Sequence, residues 1–351
     1  MSSVKYPKLL QDIQDKYSSY DYYIALDWST TVVSIAHMRS SGRTPKVTTM
    51  PSDIPQLVKH LKSLRGRKIL TFEETTGSQL LYVELRDFVD RIVICDPYRN
   101  SLLSDGPKTD EIDAQKLCLL LRAGLLHEVY HTSEEDYWMR KLVRSYLGMV
   151  KAGVRTLNQK SALYRALGMQ YKKEPFTTDN PMLQFIADHL DQSIEQYRYQ
   201  KAEYEKKFRQ ITRKNKVITE LSRISGIGAI TAVIVYALVL DARRFKKKYH
   251  FWGYCGLVSH EKVSGGRSYG KRRGRYVSTL KFVFRSATIA ALRGNNDIKN
   301  YYDHLLSLGY STQKAQHAVS RYIATSCYAV MKHKVPYQPY QWRKAMNKAA
   351  A

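Results

Sequence analysis

Three carboxylates, Asp110, Glu111 and Asp113, fall within four residues of the segment GPKTDEIDAQKL (Gly106–Leu117), in a chain whose formal net charge is +26. Thr109 before them predicts a helix N-cap, and acids in a first helical turn offset the positive end of the helix dipole. A sharper reading uses the same spacing. Side chains three apart on a helix are neighbours, so Asp110 and Asp113 project together and can hold a divalent cation. On this segment alone both readings stand. Two further acids close predicted strands: Asp27 in YYIALDWS and Glu74 in KILTFEE. A nucleophile candidate, Ser264, lies in the Gly-rich KVSGGRSYG between Lys262 and Arg267, whose charges suit a phosphate. A lone serine in such a loop is commonly only a turn residue.

These residues need elements to position them. Tyr22–Ser29 reads as a buried strand, with Thr31–Met38 and Pro45–Met50 as antiparallel partners. A helix over Ile54–Leu64, a strand over Lys68–Glu74, a helix over Gln79–Val89, a strand over Arg91–Cys95 and a helix over Asp110–Ala123 follow. Three hairpin-like strands and then alternating helix and strand predict a mixed sheet with helices on its faces, in the strand order of a ribonuclease-H-like domain. That order sets Asp27 and Glu74 on adjacent strands and allows a helix to bring Asp110 and Asp113 to the same edge. Four converging carboxylates require compensating cations, and two Mg²⁺ would both neutralise them and polarise a phosphodiester.

Residues 132 to 213 contain almost no Gly or Pro and predict two long helices, broken at KKEPFTTDNP (Lys172–Pro181). In the second, Leu190, Ile194, Tyr197, Lys201, Tyr204, Phe208 and Ile211 follow a heptad seam. The seam serves either a coiled-coil hairpin for self-association or a packed bundle within one protomer. Beyond it, ISGIGAITA (Ile224–Ala232) fits a helix-hairpin-helix turn, in which Gly226 and Gly228 free backbone N–H groups for a phosphate. The predicted class is therefore α/β plus mostly α, in three parts: a sheet domain over 1–128, a helical hairpin over 129–213 and a helical domain over 214–351.

Charge narrows the partner. Residues 211 to 351 hold 26 Lys and Arg against 5 Asp and Glu, which leaves only +5 of the +26 on the preceding 210 residues. An excess of that size favours a polyanion such as nucleic acid. The runs RRFKKK (Arg243–Lys248) and KRRGR (Lys271–Arg275) concentrate it, so Lys262, Arg267, Lys271, Arg272, Arg273 and Arg275 are candidate phosphate contacts. The longest apolar run, Ala229–Leu240, is twelve residues and too short for a bilayer, and charges interrupt any apolar stretch near the N-terminus. A cytoplasmic protein is expected. Four widely spaced cysteines, Cys95, Cys118, Cys255 and Cys327, indicate neither a disulfide framework nor a zinc site.

Taken together, IALD, EETTG, KTDEIDAQ, KVSGGRS and RRGR resemble, in this order and spacing, the motifs of pilin-inversion-type DNA invertases and their insertion-sequence relatives, DEDD recombinases with a RuvC-like domain. The resemblance runs from about Tyr22 to about Val335. It implies that Asp27, Glu74, Asp110 and Asp113 are the metal-binding acids and that Ser264 is the nucleophile of a C-terminal transposase domain. It also implies donor and target DNA and a structured bridge RNA as partners, and dimers assembling into tetramers in which one protomer's serine completes another's carboxylate site. Of the adjacent pair Glu73 and Glu74, the motif favours Glu74. Three positions depart from the pattern: Ala25 replaces a glycine, Thr75 an alanine, and Arg275 stands where an asparagine is common. A phosphoserine intermediate would conserve the energy of the broken bond for rejoining. Two other functions use the same residues differently: a Holliday-junction-type nuclease needs the acids and water but no serine, and a non-enzymatic nucleic-acid-binding protein needs the acids only as helix caps.

Overall fold

A computed structural model describes residues 17–99, 109–132, 134–171 and 173–343. Gly106, Pro107 and Lys108 of the acidic motif, and Lys172 of the predicted helix break, lie outside them. The chain divides into two compact units, residues 1–137 and 138–351.

The first unit is built on a five-stranded mixed sheet. Strands β1 (Tyr22–Trp28), β2 (Val32–Arg39) and β3 (Lys46–Pro51) run antiparallel, and β4 (Lys68–Glu73) and β5 (Arg91–Cys95) add parallel to β1, giving the order β3-β2-β1-β4-β5. Helices α1 (Ile54–Ser63) and α2 (Ser78–Leu85) follow β3 and β4; α3 (Asp110–Arg122) follows β5. The predicted helix to Val89 ends early, because a 3-10 turn over Arg86–Phe88 takes over from α2.

Strand alternation explains the layers. Ile24, Leu26, Leu70 and Phe72 point to one face and pack with Leu57 and Leu61 of α1 and Leu81 and Leu85 of α2. Tyr23, Ala25, Ala36 and Ile69 point to the other and meet Ala114, Leu117, Cys118 and Leu121 of α3. Both faces of the central strands are covered, which is why they read as near-continuous apolar runs. The packing of α3 fixes where its N-terminal acids sit.

The second unit is helical apart from one hairpin. Helices α4 (Glu134–Ala166) and α5 (Pro181–Lys214) are long, and the predicted break between them is present. The heptad seam of α5 packs against α4 of the same chain: Ile194 and Phe208 are buried, Ser145 Oγ and Tyr204 Oη lie 2.7 Å apart, and Tyr146 donates to Glu205 at 3.2 Å. A Cβ on Gly153 of α4 would stand 2.2 Å from the Tyr197 ring, so the helices approach as closely as glycine permits.

Helix α6 (Lys216–Ser222), α7 (Ala229–Val239), α8 (Lys248–Tyr254), the hairpin β6 (His260–Ser264) and β7 (Arg267–Arg272), α9 (Ser278–Ala291), α10 (Asp297–Ser307) and α11 (Thr312–His333) complete the unit. The apolar run becomes α7, whose residues Ala232–Val235 and Ala237–Val239 are buried among α6, α9 and α11. It is apolar all round because it is a core helix. No helix among the described residues is long and apolar enough to cross a membrane. All four cysteines are buried and unpaired with one another.

Candidate functional site

Asp27 is the penultimate residue of β1, half-buried, on the face that α3 covers. Burial, then the charges of Asp110, Asp113 and Glu73, push its carboxyl up to about 6. Charges from α3 and β4 thus act on the acid of β1: two aspartates from the helix and one glutamate, Glu73, from the strand. Asp113 Oδ1 is buried without a hydrogen-bond partner, and its nearest cation is Lys116 Nζ at 3.9 Å. A buried carboxylate oxygen so placed is costly unless something else satisfies it.

Thr109 caps α3 as predicted, accepting from Ile112 N–H at 3.3 Å. The capping reading of the acidic turn is present: the threonine closes the helix, while Asp110 and Asp113 act on Asp27 through their charges. Glu111 turns aside and accepts from the Thr49 hydroxyl at 3.3 Å, which in turn lies 3.3 Å from the Ser34 hydroxyl.

The pairing register separates the two adjacent glutamates. Leu26 pairs with Phe72 in the parallel β1–β4 ladder, so Asp27 and Glu73 follow on the same face. Glu74, one residue beyond the strand, is exposed, with its N–H bonded to Cys95 O at 2.9 Å. The turn is held by Ser78, whose hydroxyl donates to Glu73 O at 3.2 Å and accepts from Thr75 N–H at 2.6 Å. Motif matching favours Glu74, whereas strand parity puts Glu73 on the face of Asp27.

The donor chemistry suits a hard divalent cation, since every candidate ligand is a carboxylate oxygen. As the side chains stand, no group of three or more His, Cys, Asp or Glu among the described residues forms a metal-holding set.

In the second unit Ser264 is the last residue of β6, exposed, and paired with Arg267 of β7. Gly265 (φ 54°) and Gly266 (φ 74°) form the two-residue turn between them, a left-handed pair that non-glycine residues adopt at a cost. The hairpin carries Lys262, Arg267, Lys271 and Arg272, all exposed, and Arg273 and Arg275 follow it, also exposed. Gly226 (φ 86°) has a packing role: a Cβ there would lie 2.1 Å from Ala287 O of α9. Gly228 caps α7 in an extended conformation, with open space about it.

Residues 218–303, in this second unit, match the family model described as Transposase IS116/IS110/IS902 family. The match gives the class that this portion of the chain is similar to, a transposase of an insertion-sequence family, and it spans about a quarter of the chain. Three relatives agree with it. A putative transposase of Sinorhizobium fredii is 29% identical over 46% of this chain and 42% of its own length. A probable family 20 transposase of Pseudomonas aeruginosa is 22% identical over 62% of this chain and 70% of its own. The transposase for insertion sequence element IS1328 of Yersinia enterocolitica is 21% identical over 57% of this chain and 63% of its own.

Proposed function

We propose that the protein is an RNA-guided DNA recombinase of an insertion sequence, which cuts and rejoins strands through a phosphoserine on Ser264. The observation that carries this reading is the crowding of Asp27, Asp110 and Asp113 with a glutamate of β4 in a chain whose residues 218–303 match a transposase family model. The strand order β3-β2-β1-β4-β5 supports a RuvC-like, ribonuclease-H-like catalytic domain over 1–128. The close turn between α6 and α7 supports a helix-hairpin-helix in a domain over 214–351, and the pairing of α4 with α5 supports a hairpin domain over 129–213.

Asp27, Asp110 and Asp113 would hold Mg²⁺, two ions per composite site, with Glu74 by motif or Glu73 by strand parity as the fourth ligand. Bound Mg²⁺ supplies charge neutralisation at the attacked phosphate and favours ionisation of the attacking hydroxyl. Ser264 Oγ attacks phosphorus and loses its proton to solvent; the bond to the 3′-oxygen breaks, leaving a 3′-hydroxyl and a 5′-phosphoserine. Attack by a 3′-hydroxyl reverses the step, frees the serine and rejoins the strand. The turn at Gly265 and Gly266 keeps Ser264 at an exposed tip where a backbone phosphate can reach it. Lys262, Arg267, Lys271, Arg272, Arg273 and Arg275 neutralise neighbouring phosphates, and Gly226 and Gly228 present backbone N–H groups at the start of α7. Donor and target DNA, a bridge RNA and further copies of this chain complete the assembly.

The test uses Asp110→Asn and Asp113→Asn with supercoiled DNA carrying the element ends, its guide transcript and Mg²⁺. Each variant is expected to bind DNA and RNA as wild type does and to lose strand cleavage. Cleavage near the wild-type rate would reduce the two aspartates to helix-terminus acids.

A further inference from the structure

Helices α9 and α11 pack side by side in the second unit, with the Thr288 and Ser320 hydroxyls 2.8 Å apart at their buried contact. Neither helix contains an Asp or Glu, while between them they carry Lys281, Arg285, Lys314, Arg321 and Lys332. An open cavity of about 390 Å³ lies over the Thr288–Ser320 contact, lined by Arg285, Ile289, Gln313, Gln316 and His317. That volume is within the range of ligand clefts, roughly 300–1,000 Å³.

Several cations converge there. Desolvation, followed by the charges of Arg285, Arg321, Arg273 and Lys281, holds the His317 imidazole below its ordinary pKa. Among the described residues Lys281, Arg285 and Arg321 form no ion pair; Lys281 and Arg321 lie instead 5.4 and 5.6 Å from the Tyr276 and Trp252 ring centroids. Phe282, 70% exposed, lies three residues before Arg285 and outside the cavity lining, and Ile289, 53% exposed and part of the lining, lies four after it, so the three share one exposed face of α9. A large aromatic left in solvent beside unpaired cations and amide side chains is the combination that binds an unstacked nucleotide: the ring stacks on the base, the cations meet its phosphate, and Gln313 and Gln316 offer donors and acceptors to its edge.

We propose that the α9–α11 groove binds single-stranded nucleic acid, seating an unstacked nucleotide against Phe282 with its phosphate on Lys281 and Arg285. The site uses no residue assigned to catalysis, although Arg273, next after the Ser264 hairpin, contributes its charge to it. It rests on the reading that the chain handles nucleic acid, but not on the phosphoserine chemistry.

The experiment measures binding of labelled oligo(dT), oligo(U) and a DNA duplex, each of about 20 nucleotides or pairs, across a salt series. Proteins are wild type, Phe282→Ala and Lys281→Ala/Arg285→Ala, with circular dichroism melting to confirm that each variant folds. Phe282 is exposed, so its truncation leaves the core intact. Phe282→Ala is expected to weaken single-strand binding about five-fold or more and to leave duplex binding within about two-fold. The double variant is expected to reduce the single-strand salt slope by about 0.7, the share of the one phosphate that the two cations hold. Equal losses on duplex and single strand would make the groove a general basic surface and overturn the proposal, as would unchanged binding. Wild-type protein that binds none of the three probes would instead defeat the nucleic-acid reading itself. Preference for oligo(U) over oligo(dT) would identify RNA as the strand seated; the reverse would identify DNA.

Discussion

At the scale of single residues, the crowding around Asp27 works against folding while its carboxyl is ionised. A carboxyl raised to about 6 from an ordinary 3.8 binds more protons folded than unfolded, so its effect on stability is most favourable below pH 4 and is lost as pH rises through 6. At pH 7 without metal, Asp27→Asn is therefore expected to stabilise the protein by about 1–2 kcal/mol, a figure reduced from the full shift because the group is partly exposed. The gain should shrink below pH 4, and Mg²⁺ should stabilise the wild type but not the variant. Thermal melts at pH 4 and pH 7, with and without Mg²⁺, check this. A variant less stable than wild type at both pH values would mean that Asp27 is held by attraction rather than repelled by its neighbours.

At the scale of elements, what could be read from the sequence followed from how local its cause was. Strand β5 coincides with its expected bounds, and β1 to β4 agree within a residue or two, because alternation and apolar runs are local signals. Helix α3 and its Thr109 cap were equally legible, since the cap residue, the acids and the apolar spacing all lie within the helix itself. The end of α2 was not, since nothing in the local pattern marks where the 3-10 turn begins. Nor was the partner of Asp27, because the register between β1 and β4 is a tertiary fact that no motif states. Register leads to a prediction: Glu73→Gln should reduce Mg²⁺-dependent cleavage by at least tenfold more than Glu74→Gln. A larger loss at Glu74 would show that the motif, not strand parity, names the fourth ligand. Besides the phosphate role proposed for it, Gly226 has a packing role, set by its positive φ and its close approach to the α9 backbone. Gly226→Ala should cost about 2 kcal/mol or more, since both the left-handed backbone and the Ala287 carbonyl oppose a methyl group. Chemical denaturation measures it, and a cost under about 0.5 kcal/mol would mean that the turn yields easily.

At the scale of the whole molecule, charge and chemistry divide between the two units. The carboxylates lie in the first and the serine hairpin in the second, while 26 of the 57 Lys and Arg follow residue 210 with only 5 acids beside them. The basic part should therefore supply most phosphate contacts. Replacing Arg272, Arg273 and Arg275 with alanine is expected to reduce the duplex salt slope by about two to three, at about 0.9 per phosphate, and to do so alike on matched and mismatched targets. An unchanged slope would turn these arginines toward solvent or another protomer. The central claim, that a serine of the second unit acts with carboxylates of the first, is tested most directly by a nicked suicide DNA substrate that lets the cut strand diffuse away and traps any covalent species. With guide RNA and Mg²⁺, wild type should accumulate a protein–DNA adduct that peptide mapping assigns to Ser264. Ser264→Ala and Asp113→Asn should each give none while still assembling on the DNA. Free cleaved ends from Ser264→Ala would show that water is the nucleophile and would contradict the account.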